Sequence, residues 1–222
     1  MQGDHCKPLV FKTKVPANEV AAILVEPIQG EGGVCCPRET YLKEVRRICN
    51  ESGALLIFDE IQTGMGRTGK LFAYEHFGVE PDIMTVAKAL ANGLPMGAML
   101  AREKIAASFG PGAHASTFGG TPLVSAAACE VLRILTEENV LENCRQAGAY
   151  FIKRLQQLKK RHDIVRQVRG LGLLLGMELT VAGEPIVQAC LRQGYLINCI
   201  QDKVLRFIPP LTITTEQIDG LI

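Results

Sequence analysis

Continuous apolar runs, not alternating ones, dominate the N-terminal part of the chain. They cover 20–25, 54–58 and 83–87, and glycine, proline or charged residues bound them. Unbroken runs of Leu, Ile and Val are typical of buried strands in a parallel sheet. Open parallel sheets bind ligands just beyond the carboxyl ends of their strands. Asp59 and Lys88 directly follow two of these runs, so they are predicted to face one crevice. For this pair alone, an ordinary strand-end salt bridge is the favoured interpretation.

Between and after these runs, apolar residues recur at helical spacing. The segment 37–52 predicts a helix that stops at Gly53, which completes a strand–helix–strand unit. Thr121 followed by proline is a good helix start, and the helix to about Glu138 is apolar on most faces. We therefore expect that helix to be deeply packed. A more amphipathic helix is predicted over 140–162.

Three loops rich in glycine or small residues follow predicted strands or helices. Pro27 and three glycines shape the loop after Glu26, whose carboxylate is equally compatible with a structural and a site role. The loop 63–69 carries three glycines around an arginine but lacks the Gly-Lys-Ser/Thr ending of a phosphate-binding P-loop. The loop 110–120 has small hydroxylated side chains at its centre.

The pattern changes after residue 162. We predict one strand with glycine bends over 165–179, a short helix over 185–194, and a hairpin of 196–200 with 204–208. The predicted class is α/β. Its domains are a partial large domain, 1–162, with a mainly parallel sheet, and a small, incomplete α+β domain, 163–222.

Composition excludes several classes of function. The net charge of +1 gives no field that would attract nucleic acid or an acidic membrane, and there is no apolar run of transmembrane length. The start of the chain does not resemble a signal peptide. The eight cysteines are irregularly spaced without a Cys-x-x-Cys pair, so we expect reduced thiols, no zinc or other metal, and a cytoplasmic location.

Taken together, several strings resemble the class III, pyridoxal-phosphate-dependent aminotransferases. They lie in order at 25–33 (Val-Glu-Pro-Ile-Gln-Gly-Glu-Gly-Gly), 58–64 (Phe-Asp-Glu-Ile-Gln-Thr-Gly), 66–69, 87–90, 116–120, 168–173 and 205–211. Each is modest alone, and the ordered set is highly specific. Within the family, 72–82 and 114–120 are most similar to acetylornithine aminotransferases.

The resemblance implies fold type I and a set of cofactor-binding residues. Lys88 would bind the aldehyde of pyridoxal 5'-phosphate and, once freed, carry the proton. Asp59 would keep the pyridine nitrogen protonated, and Gln62 would hydrogen-bond the phenolic oxygen. The other cofactor contacts implied are Ile61, on the ring face, and Glu60.

The resemblance also implies substrate contacts and a homodimer. Thr117 would reach the cofactor phosphate of the neighbouring subunit, and Ser116 the substrate. Arg206 would hold a substrate carboxylate, and Glu26 would pair with that arginine when the other substrate is bound. The implied reaction moves the δ-amino group of N2-acetyl-L-ornithine to 2-oxoglutarate, giving N-acetylglutamate 5-semialdehyde and L-glutamate, a step of arginine biosynthesis.

Part of the family pattern is missing from the sequence. The phosphate cup with Gly-Thr, the aromatic that stacks on the ring and a further arginine are not found before Val20, and the final helix looks cut short. We therefore expect a chain incomplete at both ends and weakly active or inactive alone. The alternatives are another class III activity, on ornithine, 4-aminobutyrate or succinyldiaminopimelate, and a non-catalytic fragment or partner of a split enzyme.

Overall fold

The computed structural model describes residues 15–222, which contain eight strands and six α-helices. The strands are β1 (Ala22–Val25), β2 (Leu55–Asp59), β3 (Ile83–Val86), β4 (Ala98–Ala101), β5 (Val165–Leu171), β6 (Leu174–Leu179), β7 (Asn198–Ile200) and β8 (Val204–Phe207). The helices are α1 (Tyr41–Ser52), α2 (Glu103–Ala106), α3 (Pro122–Glu137), α4 (Val140–Arg161), α5 (Glu184–Arg192) and α6 (Thr215–Leu221). Short 3-10 helices cover Ala17–Glu19, Ala73–His76 and Lys88–Ala91.

These elements form two compact units. The first contains 15–27, Pro37–Gly64 and Ala73–Leu132, and the second contains Ile28–Cys36, Met65–Phe72 and Arg133–Ile222. This division follows packing, and the domain assignment of 1–162 and 163–222 stays a prediction. None of the helices in residues 15–222 is long and apolar enough to cross a membrane.

The first unit is built on a four-stranded sheet in the order β1-β2-β3-β4. The first three strands are parallel, and β4 is antiparallel to β3. Helix α1 covers one face, where its apolar stripe meets Leu56 and Phe58, both fully buried. Gly53 ends α1 in the left-handed region at φ 76°, as a helix stop requires. The strands predicted at 20–25, 54–58 and 83–87 are thereby confirmed.

The opposite face of this sheet is only partly covered. Side chains alternate between faces, so Leu24, Ile57, Ile83 and Ala101, which are paired across the four strands, share that face. The paired row of Asp59, Thr85 and Met99 lies on the same face. Leu24 is 61% exposed and Met99 is 47% exposed. Asp59 therefore projects from the face that α1 does not cover.

The second unit has an antiparallel sheet in the order β5-β6-β8-β7. Helix α4 packs on it and contributes Phe151, whose ring meets that of Phe207 edge-to-face at 5.2 Å between centroids. A continuous core of buried apolar residues surrounds this pair. The predicted hairpin of 196–200 with 204–208 is confirmed as β7 and β8, which turn through Gln201 and Asp202.

Two sequence predictions are wrong in detail. The segment 165–179 is a hairpin of two strands, because Gly172 turns the chain at φ 57°. Helix α3 is not deeply packed: Leu123 is 73% exposed, and the buried positions form a stripe of Val124, Ala128 and Leu135. The cysteines within the described residues are free thiols, as expected.

Candidate active site

Asp59 and Lys88 lie at the same end of two neighbouring parallel strands. Asp59 ends β2 and is paired with Thr85 of β3, and Lys88 follows the end of β3. Lys88 is exposed and has φ 49°, in the left-handed region that a side chain with a Cβ rarely adopts. Backbone strain of this kind concentrates at functional sites. Within residues 15–222 no ion pair joins Asp59 to Lys88, so the strand-end salt bridge is not formed.

The Asp59 carboxylate also organises the chain that follows it. Its Oδ1 accepts a hydrogen bond from the backbone N–H of Ile61 at 2.9 Å, an Asx turn that starts the loop. Ile61 and Gln62 are half-buried. Because the carboxylate is half-buried on the less covered face of the sheet, its other oxygen can receive a donor from a ligand.

Glu60, next to Asp59, is turned into the protein and is 1% exposed. It accepts hydrogen bonds from the Thr63 hydroxyl, the Ala73 N–H at 3.0 Å and the Tyr74 N–H at 2.8 Å. Burial raises the pKa of Glu60, and these three donors only partly oppose the rise. The contacts are those of a carboxylate that fixes the loop between β2 and the 3-10 helix Ala73–His76. Its predicted cofactor contact stays a prediction.

Ser116 and Thr117 lie on a wholly exposed loop. The Ser116 hydroxyl accepts the Gly119 N–H at 2.9 Å, which tightens the loop tip. Their roles toward a neighbouring subunit stay predictions.

Arg206 is the buried cation of the second unit. It lies on β8, is 8% exposed, and its Nη1 is 2.5 Å from Oε1 of Glu31. Its Nε donates to Oδ1 of Asn198 on the neighbouring strand at 3.3 Å. The Glu31 side chain, in contrast, is 65% exposed. A buried arginine with an exposed glutamate as its partner can exchange that partner for a carboxylate from solution.

The sequence prediction gave the partner role to Glu26, and the structure shows Glu31 forming an ion pair with Arg206. Both glutamates belong to the string 25–33, and spacing alone did not distinguish them. The feature of the sequence that could have indicated Glu31 is its position between two glycines at the tip of the loop. A substrate role for Glu26 stays a prediction.

Comparison with known proteins agrees with these features. The family model of class III aminotransferases matches residues 5–222. The chain is 53% identical over 209 residues to the acetylornithine aminotransferase of Methanosarcina mazei, covering 94% of this chain and 52% of that protein. It is 48% identical over 205 residues to the enzyme of the same name from Methanocaldococcus jannaschii, covering 92% and 52%.

Solved structures show the same similarity. The acetylornithine aminotransferase of Elizabethkingia anophelis matches with a TM-score of 0.87 and 38% identity, over 93% of this chain and 56% of that one. The ornithine aminotransferase of Plasmodium yoelii matches with a TM-score of 0.85 and 40% identity, over 90% and 54%. The chain thus spans about half the length of the relatives it matches. The predicted fold class is confirmed, and the chain belongs to the class III aminotransferases.

Proposed function

We propose that the protein takes part in the pyridoxal-phosphate-dependent transfer of the δ-amino group of N2-acetyl-L-ornithine to 2-oxoglutarate. The observation that carries the proposal is the position of Asp59 and Lys88 at the ends of two paired parallel strands, with no ion pair between them. The similarity to several acetylornithine aminotransferases supports this donor. The products are N-acetylglutamate 5-semialdehyde and L-glutamate.

The residues around Asp59 suit pyridoxal phosphate. A half-buried carboxylate on the less covered sheet face can hold the proton of a pyridinium nitrogen. The cofactor, when bound, supplies an aldehyde for the amine and a ring that withdraws electrons. Lys88 would bind that aldehyde and, once released, would carry the proton at the substrate carbon. Gln62 would donate to the phenolic oxygen, and Ile61 would pack on the ring.

Arg206 and Glu31 allow one site to accept two substrates. When the substrate offers a carboxylate at this position, the exposed Glu31 side chain moves away and Arg206 binds that carboxylate. When it does not, Glu31 neutralises the buried guanidinium, because burying a charge is costly unless an opposite charge lies nearby. A ping-pong aminotransferase needs such an exchange because its donor and acceptor carry different groups.

The cofactor assignment is tested by absorbance of the purified chain with added pyridoxal phosphate. We expect a visible band of bound cofactor that Lys88→Ala abolishes. The matched control is Lys104→Ala, an exposed lysine on α2, which should leave the band unchanged. A band of equal strength in Lys88→Ala would contradict the assignment.

Turnover tests the activity of the 222-residue chain itself. We expect weak or no transamination, because the residues of the family's phosphate cup are not recognised in this sequence. Robust acetylornithine turnover by this chain alone would contradict that expectation. Restoration of activity by a separate N-terminal chain of a relative would favour the split-enzyme alternative.

Ornithine is the second candidate donor, because ornithine aminotransferases are among the similar solved structures. Comparing rates on acetylornithine, ornithine, 4-aminobutyrate and succinyldiaminopimelate would separate these activities. A homodimer, with Thr117 and Ser116 reaching the neighbouring subunit, and a cytoplasmic location are parts of the same proposal. The exposed loop that carries the two hydroxyls is compatible with that contact.

A further inference from the structure

The loop that presents Glu31 is closed on itself and docked on the second sheet. Gln29 and Cys35 exchange two backbone hydrogen bonds, of 3.1 and 3.0 Å, and Gly33 N–H bonds the Gly30 carbonyl at 3.2 Å. The loop crosses β6 at Gly176, where an added Cβ would lie 3.0 Å from Cβ of Val34. Glycine at 176 therefore lets the loop approach the sheet.

Two arginines flank this crossing point. Arg169 of β5 and Arg206 of β8 are both paired with Gly176 of β6, so the three residues form one row across the sheet. Directly paired residues project from the same face, and neighbouring strands lie about 4.8 Å apart. The loop thus lies over Gly176 with a guanidinium on each side.

The two arginines bind different parts of the loop. Arg206 takes the Glu31 carboxylate, whereas Arg169 Nε donates to the backbone carbonyls of Gly33 at 2.9 Å and Val34 at 3.2 Å. Gly33 has φ 113°, and an added Cβ there would lie 3.2 Å from Nη2 of Arg169. The loop backbone is therefore shaped to receive this guanidinium.

Arg169 is itself fixed by side chains of the sheet. Its Nη1 donates to Glu178 at 2.5 Å and to the Gln167 side chain at 3.1 Å, and only 14% of the Arg169 side chain is exposed. On the far side of the loop, the Gln201 side chain donates to the Glu31 carbonyl at 3.1 Å. These contacts hold the loop through its backbone, whereas Glu31 reaches Arg206 through its side chain.

We propose that Arg169 is a positioning residue: anchored by Glu178, it holds the Gly33–Val34 backbone so that Glu31 competes effectively for Arg206. This rests on the proposed function, in which Arg206 receives a substrate carboxylate. Loosening the loop weakens the internal competitor, so an incoming carboxylate binds Arg206 more tightly. Selectivity between the two substrates then falls, because Glu31 neutralises Arg206 less effectively when the substrate offers no carboxylate.

Arg166 provides a matched control. It also pairs with Glu178, at 2.9 Å, but its side chain is 71% exposed. Removing either arginine deletes one ion pair of Glu178, and the loop carbonyls of Gly33 and Val34 are held by Arg169. A purely structural effect of losing a Glu178 partner would appear in both variants.

The test is calorimetric titration of the cofactor-loaded full chain with glutarate, a dicarboxylate that cannot react. We expect Glu31→Gln to tighten glutarate binding by about tenfold, since a charged hydrogen-bonding competitor is lost. Arg169→Gln should tighten it by roughly threefold, and Arg166→Gln should leave it unchanged. Arg169→Gln added to Glu31→Gln should have no further effect, because the competitor is already absent.

The outcomes distinguish a failure of the positioning role of Arg169 from a failure of the proposed function. If Arg206→Gln does not weaken glutarate binding, Arg206 does not bind the substrate carboxylate, and that part of the proposed function is wrong. If Arg206→Gln and Glu31→Gln behave as expected but Arg169→Gln matches Arg166→Gln, only the positioning role is wrong. Should Arg169→Gln fail to fold, Glu178→Gln releases the same anchor, and unchanged glutarate binding in that folded variant overturns the proposal.

Discussion

The two sheets of this chain differ in how completely the described residues cover them. The antiparallel sheet of the second unit closes on α4 around Phe151 and Phe207, and its buried core is continuous. The parallel sheet of the first unit is covered by α1 on one face, and on the other Leu24 and Met99 are largely exposed. Asp59, the residue expected under the cofactor ring, projects from that second face. The residues proposed for cofactor chemistry thus lie on the less covered sheet, and the arginine proposed to bind a substrate carboxylate lies on the well-covered one.

The difference follows from the kind of strand. Parallel strands are apolar on both sides because both faces are normally covered, whereas antiparallel strands need cover on one face only. The exposed Leu24 therefore lies on a face of the parallel sheet that the described residues leave partly uncovered.

The largest expected effect is in the core of the second unit. Phe151→Ala should lower the free energy of unfolding by about 3–5 kcal/mol, because a buried aromatic and its edge-to-face partner are lost together. Phe109→Ala is the control: this phenylalanine is 52% exposed and should change the free energy of unfolding by less than about 0.5 kcal/mol. Urea unfolding curves would measure both. Equal losses in the two variants would contradict the contrast between a closed core and an exposed side chain.

The next effect concerns Glu60 in the first unit. Glu60→Ala leaves the Thr63 hydroxyl and the N–H groups of Ala73 and Tyr74 without their acceptor, which should cost about 1–3 kcal/mol in the free energy of unfolding. Exposed Glu39→Ala should cost little. Chemical unfolding at several pH values would measure both variants.

The same residue predicts a pH dependence with a definite sign. Burial raises the pKa of folded Glu60 above its ordinary value of 4.5, so the folded state holds the proton more tightly than the unfolded state. Its contribution to stability is complete below 4.5 and is lost as the pH rises through the folded pKa. This slope should be smaller in Glu60→Ala than in Glu39→Ala. An unchanged slope would show that another group causes it.

Local patterns were sufficient to predict much of the fold and part of the site. Continuous apolar runs identified the parallel strands, and the ends of those strands placed Asp59 beside Lys88's strand. Which residues pair across a sheet could not be predicted from any single segment of the sequence. The turn at Gly172 divided a segment that looks like one strand, and packing left Leu123 exposed on a helix with apolar residues on most faces.

The ion pair between Glu31 and Arg206 was missed for a related reason. Glu26 and Glu31 share one motif, and only the fold of the glycine loop shows that Glu31 reaches the arginine. Arg169 was part of the string 168–173, but its contact with the loop joins residues 136 positions apart. Contacts of that range depend on the register of β5, β6 and β8, which no single segment determines.

The smallest expected effect on unfolding tests whether the second face of the parallel sheet is exposed. Leu24 is 61% exposed, so Leu24→Ser should change the free energy of unfolding of the isolated chain by less than about 0.5 kcal/mol. On the same sheet, Leu56→Ala removes a fully buried side chain facing α1 and should cost about 2–5 kcal/mol. Exposed apolar surface promotes association, so Leu24→Ser should also reduce self-association in sedimentation experiments, which Leu56→Ala should not do. If Leu24→Ser instead destabilises the chain as much as Leu56→Ala, that face is covered in solution, and the contrast between the sheets disappears.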